Sequence, residues 1–150
     1  MHVVKYLHEN GYPWNEMTCE EAAENGHLDV LKYAHENGCP SDFYTGLLAA
    51  EEGHLDVVKY LHENGCLCDE MTCEAAAKEG HLDVLEYLHE NGCPWDEDAC
   101  KGAAEGGHLV TLKWLRSKGC PWSAGTWRAA ADSTREWLIE NNCPTRDLDN

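Results

Sequence analysis

The residues of this chain best suited to chemistry are its nine cysteines and nine histidines. Four of them, His62, Cys66, Cys68 and Cys73, lie close together in the sequence, and an imidazole with three thiolates is a ligand set suited to tetrahedral zinc. The interval from Cys66 to Cys68 is shorter than the usual gap between zinc ligands. His62 and Cys73 also occupy positions that recur along the chain. We therefore predict no metal site and no cofactor, and keep these four residues as an alternative zinc set.

The sequence contains no recognisable catalytic pattern. A Ser-His-Asp arrangement, a phosphate-cradling glycine loop and a dinucleotide fingerprint are all missing from it. Asp96-Glu97-Asp98 is similar to the start of a calcium loop, but Cys100 and Lys101 occupy places that need an oxygen ligand and a glycine. We predict that the protein is not an enzyme.

The cysteines recur at a fixed interval of twenty-seven positions. One series is Cys39, Cys66, Cys93 and Cys120, and a second series holds Cys19, Cys73 and Cys100. Equivalent positions in stacked helical layers are about 8–10 Å apart, whereas a disulfide needs Cα atoms within roughly 7 Å. Members of one series therefore cannot pair with each other. We interpret the cysteines as reduced, small core residues of an intracellular, cytoplasmic protein in a reducing compartment.

The same period organises the elements that must position these side chains. The quartet Gly-His-Leu-Asp begins at Gly26, Gly53 and Gly80, and returns as Gly-His-Leu-Val at Gly107. A fixed period in this range is typical of a stacked solenoid. We predict one domain over residues 1–150, divided as follows: partial repeat 1–11, repeats about 12–38, 39–65, 66–92 and 93–119, a degenerate repeat 120–143 and a tail 144–150.

One repeat, from Cys66 to Gly92, shows the expected local structure. Asp69 or Thr72 can cap a first helix, and Gly80 can end it in the left-handed conformation. The stripe of Leu82, Val84, Leu85 and Leu88 then predicts a second helix with these side chains inside. Paired alanines such as Ala76-Ala77 would allow neighbouring helices to approach closely.

The two ends of the chain depart from this pattern. Trp114 and Trp137 are equivalent but closer together than the repeat interval, so four residues are missing near Asp132-Ser133-Thr134. The chain begins with half a repeat, whose apolar residues Val3, Val4 and Leu7 have no first helix beside them. We expect either a fragment of a longer chain or an N-terminal edge that self-associates.

The string Ala-Ala-x-x-Gly-His-Leu-Asp-Val-x-x-Tyr-Leu-x-x-Asn-Gly-Cys resembles the ankyrin repeat. The resemblance implies an all-α, helix-turn-helix repeat solenoid that binds another protein through a concave face of loops and first helices. An ankyrin unit has about 33 residues, so about six are missing here. They fall between Gly92 and Asp98, where the family places its β-hairpin finger, so we expect fingers that are shortened or absent. The family's Thr-Pro-Leu-His is replaced by Met71-Thr72-Cys73-Glu74.

The charge distribution indicates which classes of partner to expect. Residues 1–100 hold four lysines and 22 acidic residues, and the whole chain carries a net charge of −17. Such a surface repels the phosphate backbone of nucleic acids and favours a protein with a basic surface. No window approaches the ~18 apolar residues of a membrane span, so we predict neither a nucleic-acid nor a membrane partner.

The framework of the repeats is nearly constant, whereas the loops and the starts of the first helices vary. Variation on a constant scaffold is typical of a recognition surface, although drift at tolerant surface sites is the alternative. The aromatic Phe43 and Tyr44 depart from the repeat pattern and are the favoured contacts, while the in-phase tryptophans could instead join adjacent layers. The predicted protein-binding residues are Trp14, Glu16, Asp42, Phe43, Tyr44, Leu67, Asp69, Glu70, Trp95, Asp96, Glu97, Trp122 and Trp127.

These observations favour a non-enzymatic protein–protein interaction scaffold. Two alternatives stay open at this point. One is a metal- or redox-responsive protein that uses the Cys/His cluster. The other is a structural or substrate-receptor fragment of a longer, multidomain chain.

Overall fold

The computed structural model describes residues 2–11, 15–66 and 68–145, apart from the side chains of Val3, Leu7 and Glu16. These residues contain eleven α-helices and no β-strand, which confirms the predicted all-α repeat fold without hairpin fingers. The chain divides into two compact units, Met1–Leu67 and Cys68–Asn150.

The helices follow one another in pairs. The first unit contains α1 (His2–Glu9), α2 (Glu16–Glu24), α3 (Leu28–Glu36), α4 (Phe43–Glu51) and α5 (Leu55–Glu63). The second contains α6 (Glu70–Glu79), α7 (Leu82–Glu90), α8 (Glu97–Glu105), α9 (Leu109–Ser117), α10 (Ala124–Ala129) and α11 (Asp132–Glu140). In each complete pair the even-numbered helix is the first helix of a repeat and the odd-numbered helix is the second.

Side-chain caps begin the first helices. Asp69 accepts the backbone N–H of Thr72, whose side chain interacts in return with the Asp69 backbone, and Asp42 forms the same capping box with Thr45. Such a cap stabilises a helix by about 1 kcal/mol. The predicted cap at Asp69 is confirmed, as is the left-handed Gly80 at the end of α6, with φ of 80°.

The first helices of successive repeats pack side by side within each unit: α2 on α4, α6 on α8, and α8 on α10. The paired alanines of these helices are buried at Ala22-Ala23, Ala49-Ala50, Ala76-Ala77 and Ala103-Ala104. Side chains this small are compatible with close packing of helices.

The second helices bury the larger apolar side chains. Val84, Leu85 and Leu88 of α7 are fully buried, or nearly so. Leu82, predicted to share the same buried stripe, is only half-buried, and so is its equivalent Leu55. Both are the first residue of their helix, beside the turn, where solvent reaches them.

Histidines in the turns connect neighbouring repeats. The Nε2 of His54 donates a hydrogen bond to the Glu24 carbonyl at 2.9 Å, and its ring packs against Gly26. His108 packs against Gly80 in the same way. The His54 bond joins the turn of one repeat to the backbone of the preceding repeat.

When a repeat is counted from the cap of its first helix, it is closed by the cysteine that follows its second helix. The thiol donates a hydrogen bond to the carbonyl of the residue that caps the first helix of the same repeat. The five bonds are Cys39 to Asn15 at 3.4 Å, Cys66 to Asp42 at 3.1 Å, Cys93 to Asp69 at 3.5 Å, Cys120 to Asp96 at 3.2 Å and Cys143 to Ser123 at 3.7 Å. The cysteine series therefore has a structural role, because it joins the end of each repeat to its beginning.

Candidate protein-binding surface

In three repeats, an aspartate stands directly before the first helix and caps it. Asp42 and Asp96 are exposed and Asp69 is half-buried. Each accepts a backbone N–H of the helix that it caps, and the bond from Asp98 to Asp96 is 2.9 Å long. These predicted binding residues therefore stabilise their own helices and still leave negative charge at the surface.

One outward position of the first helix carries a large apolar side chain in three repeats. Met17, Tyr44 and Met71 are 58%, 56% and 52% exposed, and they are spaced by the repeat interval. Burying such side chains against a partner would be favourable by about 25 cal/mol for each Å² removed from water. Sequence reasoning identified Tyr44 but missed Met17 and Met71, although the repeat interval from Tyr44 leads directly to both.

Phe43 lies beside Tyr44 and is half-buried. The two ring centroids are 5.3 Å apart in an edge-on arrangement. Phe43 therefore supports the exposed ring of Tyr44. Three predicted binding residues, Trp14, Leu67 and the side chain of Glu16, lie outside the described residues.

The predicted tryptophans contact other parts of the same chain. Trp95 stacks on His89 of the preceding repeat, with ring centroids 4.1 Å apart and planes 7° apart, and meets Trp114 edge-on. Trp95 thereby joins adjacent layers, which is the alternative that the sequence left open for it.

The two later tryptophans are also partly covered. The guanidinium of Arg116 lies 4.1 Å from the ring centroid of Trp122, and that of Arg135 lies 5.8 Å from Trp127. Both tryptophans are half-buried, so they offer less surface to a partner than Tyr44 or Met71 does.

Acidic side chains accumulate where α6 and α8 pack together. Burial and the carboxylates of Asp98 and Asp96 raise the pKa of Glu74, while Lys101 and Lys78 act in the opposite direction. Lys101 forms an ion pair with Asp98, with its Nζ 2.9 Å from the carboxylate. Glu70 and Glu97 are exposed nearby in the sequence, so this surface carries an excess of negative charge.

The alternative zinc set is divided between the two units. His62 and Cys66 belong to the first unit, and Cys68 and Cys73 to the second. Within residues 2–11, 15–66 and 68–145, no group of three or more His, Cys, Asp or Glu residues is arranged to hold a metal ion.

In that same part of the chain, every helix is too short or too polar to cross a membrane.

Helix pairs, first helices that pack side by side and glycine-histidine turns together define a helical repeat protein. A family model for ankyrin repeats, in three copies, matches residues 20–99. The match covers more than half of the chain, which belongs to the ankyrin repeat family. No curated protein matches the chain. Ankyrin repeats are generally protein–protein interaction modules and generally non-enzymatic.

Proposed function

We propose that this chain is a non-enzymatic scaffold that binds a basic protein through the starts of its first helices and the loops before them. The observation that carries the proposal is the exposed apolar position of Met17, Tyr44 and Met71 among acidic side chains. Interface hot spots combine an apolar anchor with surrounding polar contacts.

In the first unit, the anchor is Tyr44. Its ring is exposed and braced by Phe43, and Asp42 lies two residues before it with an exposed carboxylate. A ring held by a neighbour loses little conformational freedom on binding, and tyrosine is enriched at hot spots for this reason. An arginine or lysine of the partner could contact the carboxylate while its aliphatic stem covers the ring.

In the second unit, Met71 is the exposed apolar side chain and Glu70 the exposed acid beside it. Burial raises the pKa of Glu74 most, and the carboxylates of Asp98 and Asp96 add repulsion in the same direction. A cationic partner would relieve this repulsion. The acidic side chains of the second unit therefore favour a basic partner.

The test compares two tyrosines of similar exposure on different faces of the repeat. Tyr44 is on a first helix, whereas Tyr6, which is 64% exposed, is on the second helix α1. Partners are captured by affinity purification with cross-linking, and the Kd of a recovered partner is measured by calorimetry. We expect Tyr44→Ser to weaken binding about 5- to 30-fold, or about 1–2 kcal/mol, and Tyr6→Ser to change it less than about twofold.

A second arm of the test addresses charge. We expect the Kd to rise between about 0.05 and 0.5 M NaCl, because salt screens the attraction between the acidic surface and the partner. The Glu70→Gln/Glu97→Gln variant should show a smaller salt response. Equal losses of affinity in Tyr44→Ser and Tyr6→Ser, or binding that salt strengthens, would contradict the proposal.

A further inference from the structure

The two cysteine series meet inside single repeats. The thiol of Cys19, on α2, donates to the sulfur of Cys39 with an Sγ–Sγ distance of 2.7 Å. The equivalent residues of later repeats are Cys73 with Cys93 and Cys100 with Cys120. The thiol of Cys100 donates to the carbonyl oxygen of Cys120 at 3.9 Å. Hydrogen bonding to Cys73, burial and the neighbouring Cys68 raise the pKa of Cys93. In each pair, one cysteine is on the first helix and the other follows the second helix of the same repeat. The spacing in the sequence excludes pairing along a series but leaves pairing between the two series unaddressed.

We propose that Cys19–Cys39, Cys73–Cys93 and Cys100–Cys120 are oxidative modification sites, at which a low-molecular-weight disulfide such as oxidised glutathione introduces one cross-link per repeat. Each cross-link joins the loop that closes a repeat to the first helix of that repeat, so it replaces a contact that is already made.

The chemistry is two successive thiol–disulfide exchanges. A thiolate of the pair attacks the reagent disulfide and forms a mixed disulfide, releasing one reagent thiolate. The second cysteine then attacks the protein sulfur of that mixed disulfide and releases the other reagent thiolate. The protein loses two electrons and two protons, which leave as two molecules of reagent thiol.

The pair Cys100–Cys120 shows how the first attack is favoured. Hydrogen bonds from Cys100 lower the pKa of Cys120, and the guanidinium of Arg116 acts in the same direction. Cys120 is therefore the first nucleophile of this pair, because thiolates are the reactive form. In the first unit, burial and the hydrogen bond to Cys39 raise the pKa of Cys19, which disfavours Cys19 as the first nucleophile.

Local opening of the closing loop would give a reagent access to the buried thiols. Cys39 is flanked by the exposed Gly38 and Pro40, and each of the other two closing cysteines lies between an exposed glycine and an exposed proline. Local opening of such a loop costs less than unfolding of the chain. A small reagent can therefore reach the loop cysteine while the helices stay in place.

The repeat formed by α4 and α5, closed by Cys66, supplies a matched site with only one of the two cysteines. Gly46 occupies the first-helix position, and a Cβ placed there would lie 3.5 Å from the Sγ of Cys66, which is ordinary contact distance. The Gly46→Cys variant should therefore acquire a fourth cross-link, and Gly46→Ser, of similar size, should not.

The experiment equilibrates the reduced full chain with mixtures of reduced and oxidised glutathione until its composition is constant. Remaining thiols are alkylated, and the bridges are mapped by mass spectrometry. A protease that cuts at Asp96-Glu97-Asp98 separates Cys93 from Cys100, so the pairs are distinguishable. We expect the three proposed bridges, a fourth in Gly46→Cys, and loss of the Cys19–Cys39 bridge alone in Cys19→Ser.

Circular dichroism on the same samples shows whether the helices persist. Bridges between other cysteines, mixed disulfides without bridges, or loss of helical signal on oxidation would each overturn the proposal. As a second readout, the bridge should slow amide exchange in α3 about tenfold or more, because it prevents local opening. Cys39→Ser should restore the faster exchange under oxidising conditions.

Discussion

At the scale of single residues, Gly80 combines two constraints. Its φ is +80°, and a Cβ there would lie 2.5–2.8 Å from three ring atoms of His108. Gly92 has nearly the same φ of +79° but no atom within 4 Å of the Cβ position. Substituting alanine at the two positions therefore distinguishes two losses of unfolding free energy. Gly92 reports the strain of the left-handed backbone alone, whereas Gly80 reports that strain together with the clash against His108.

We expect Gly92→Ala to lower the free energy of unfolding by about 1–2 kcal/mol, the cost of a left-handed conformation. Gly80→Ala should lower it by about 2–4 kcal/mol, because the turn or the ring of His108 must also shift. Urea denaturation monitored by circular dichroism measures both. Equal losses would show that the packing of His108 against this turn is unimportant for stability.

Glu74 provides a second residue-scale prediction. A carboxyl whose pKa is higher in the folded state than in the unfolded state binds protons more tightly when folded. Burial and the carboxylate of Asp98 raise the pKa of Glu74 in the folded state. Folding stability is then lost as the pH rises from the unfolded pKa through the folded pKa.

We expect Glu74→Gln to raise the melting temperature near neutral pH and to have little effect below about pH 4, where the carboxyl is protonated in both states. The exposed Glu79 on the same helix is the matched position, and Glu79→Gln should have a small effect at either pH. Melting curves at several pH values test the sign. Stabilisation by Glu74→Gln that grows as the pH falls would be the opposite of this prediction.

At the scale of elements, α7 distinguishes buried from peripheral leucines. Leu85 is fully buried, whereas Leu82 is half-buried at the first position of the helix. We expect Leu85→Ala to cost about 2–5 kcal/mol of unfolding free energy, since it leaves a cavity. Leu82→Ala should cost about 1–2 kcal/mol, because solvent can fill the space. A larger loss for Leu82→Ala in thermal or urea unfolding would mean that the second helix is anchored at its start.

The elements themselves were largely predictable from sequence, since their limits depend on short-range chemistry. The cap at Asp69 and the left-handed Gly80 each follow from residues in the same helix or next to it. The pairing of Cys19 with Cys39 was not predicted, because it depends on how a closing loop packs against the first helix of its repeat. The burial of Leu82 was overestimated, because helical spacing identifies a face but not how far the neighbouring repeat covers it.

The proposed binding surface was only partly predictable. Tyr44 departs from the repeat pattern and can be found on that ground, but methionine at positions 17 and 71 looks like framework because it recurs. Recurrence in a sequence suggests burial, yet both side chains are more than half exposed. The distinction between a recurring core residue and a recurring surface residue requires the packing of the helices.

At the scale of the whole molecule, the acidic charge opposes folding. The whole chain carries a net charge of −17, and its excess of acidic residues lies in residues 1–100, which hold 22 acidic residues and only four lysines. Bringing these carboxylates together in a compact state costs electrostatic energy, and salt reduces that cost over a screening length of about 10 Å at 0.1 M.

We therefore expect the melting temperature to rise between about 0.05 and 0.5 M NaCl, since screening weakens the repulsion. The exposed Glu36, Glu63 and Glu90 occupy the same position at the ends of three second helices. Replacing all three with Gln should raise stability at low salt and shrink the salt response. A melting temperature that falls with salt would indicate that attractive ion pairs dominate instead.

The thiol bond that closes each repeat bears on how such an array can change its length. The thiol donor and the carbonyl acceptor belong to the same repeat. If a whole repeat is duplicated or deleted, both partners of the bond are therefore gained or lost together. The shortened last repeat shows that this bond also survives a partial loss: α10 has only six residues, yet Cys143 still donates to the Ser123 carbonyl at 3.7 Å. Gains and losses of whole repeats would therefore preserve the closing bond in every repeat that remains.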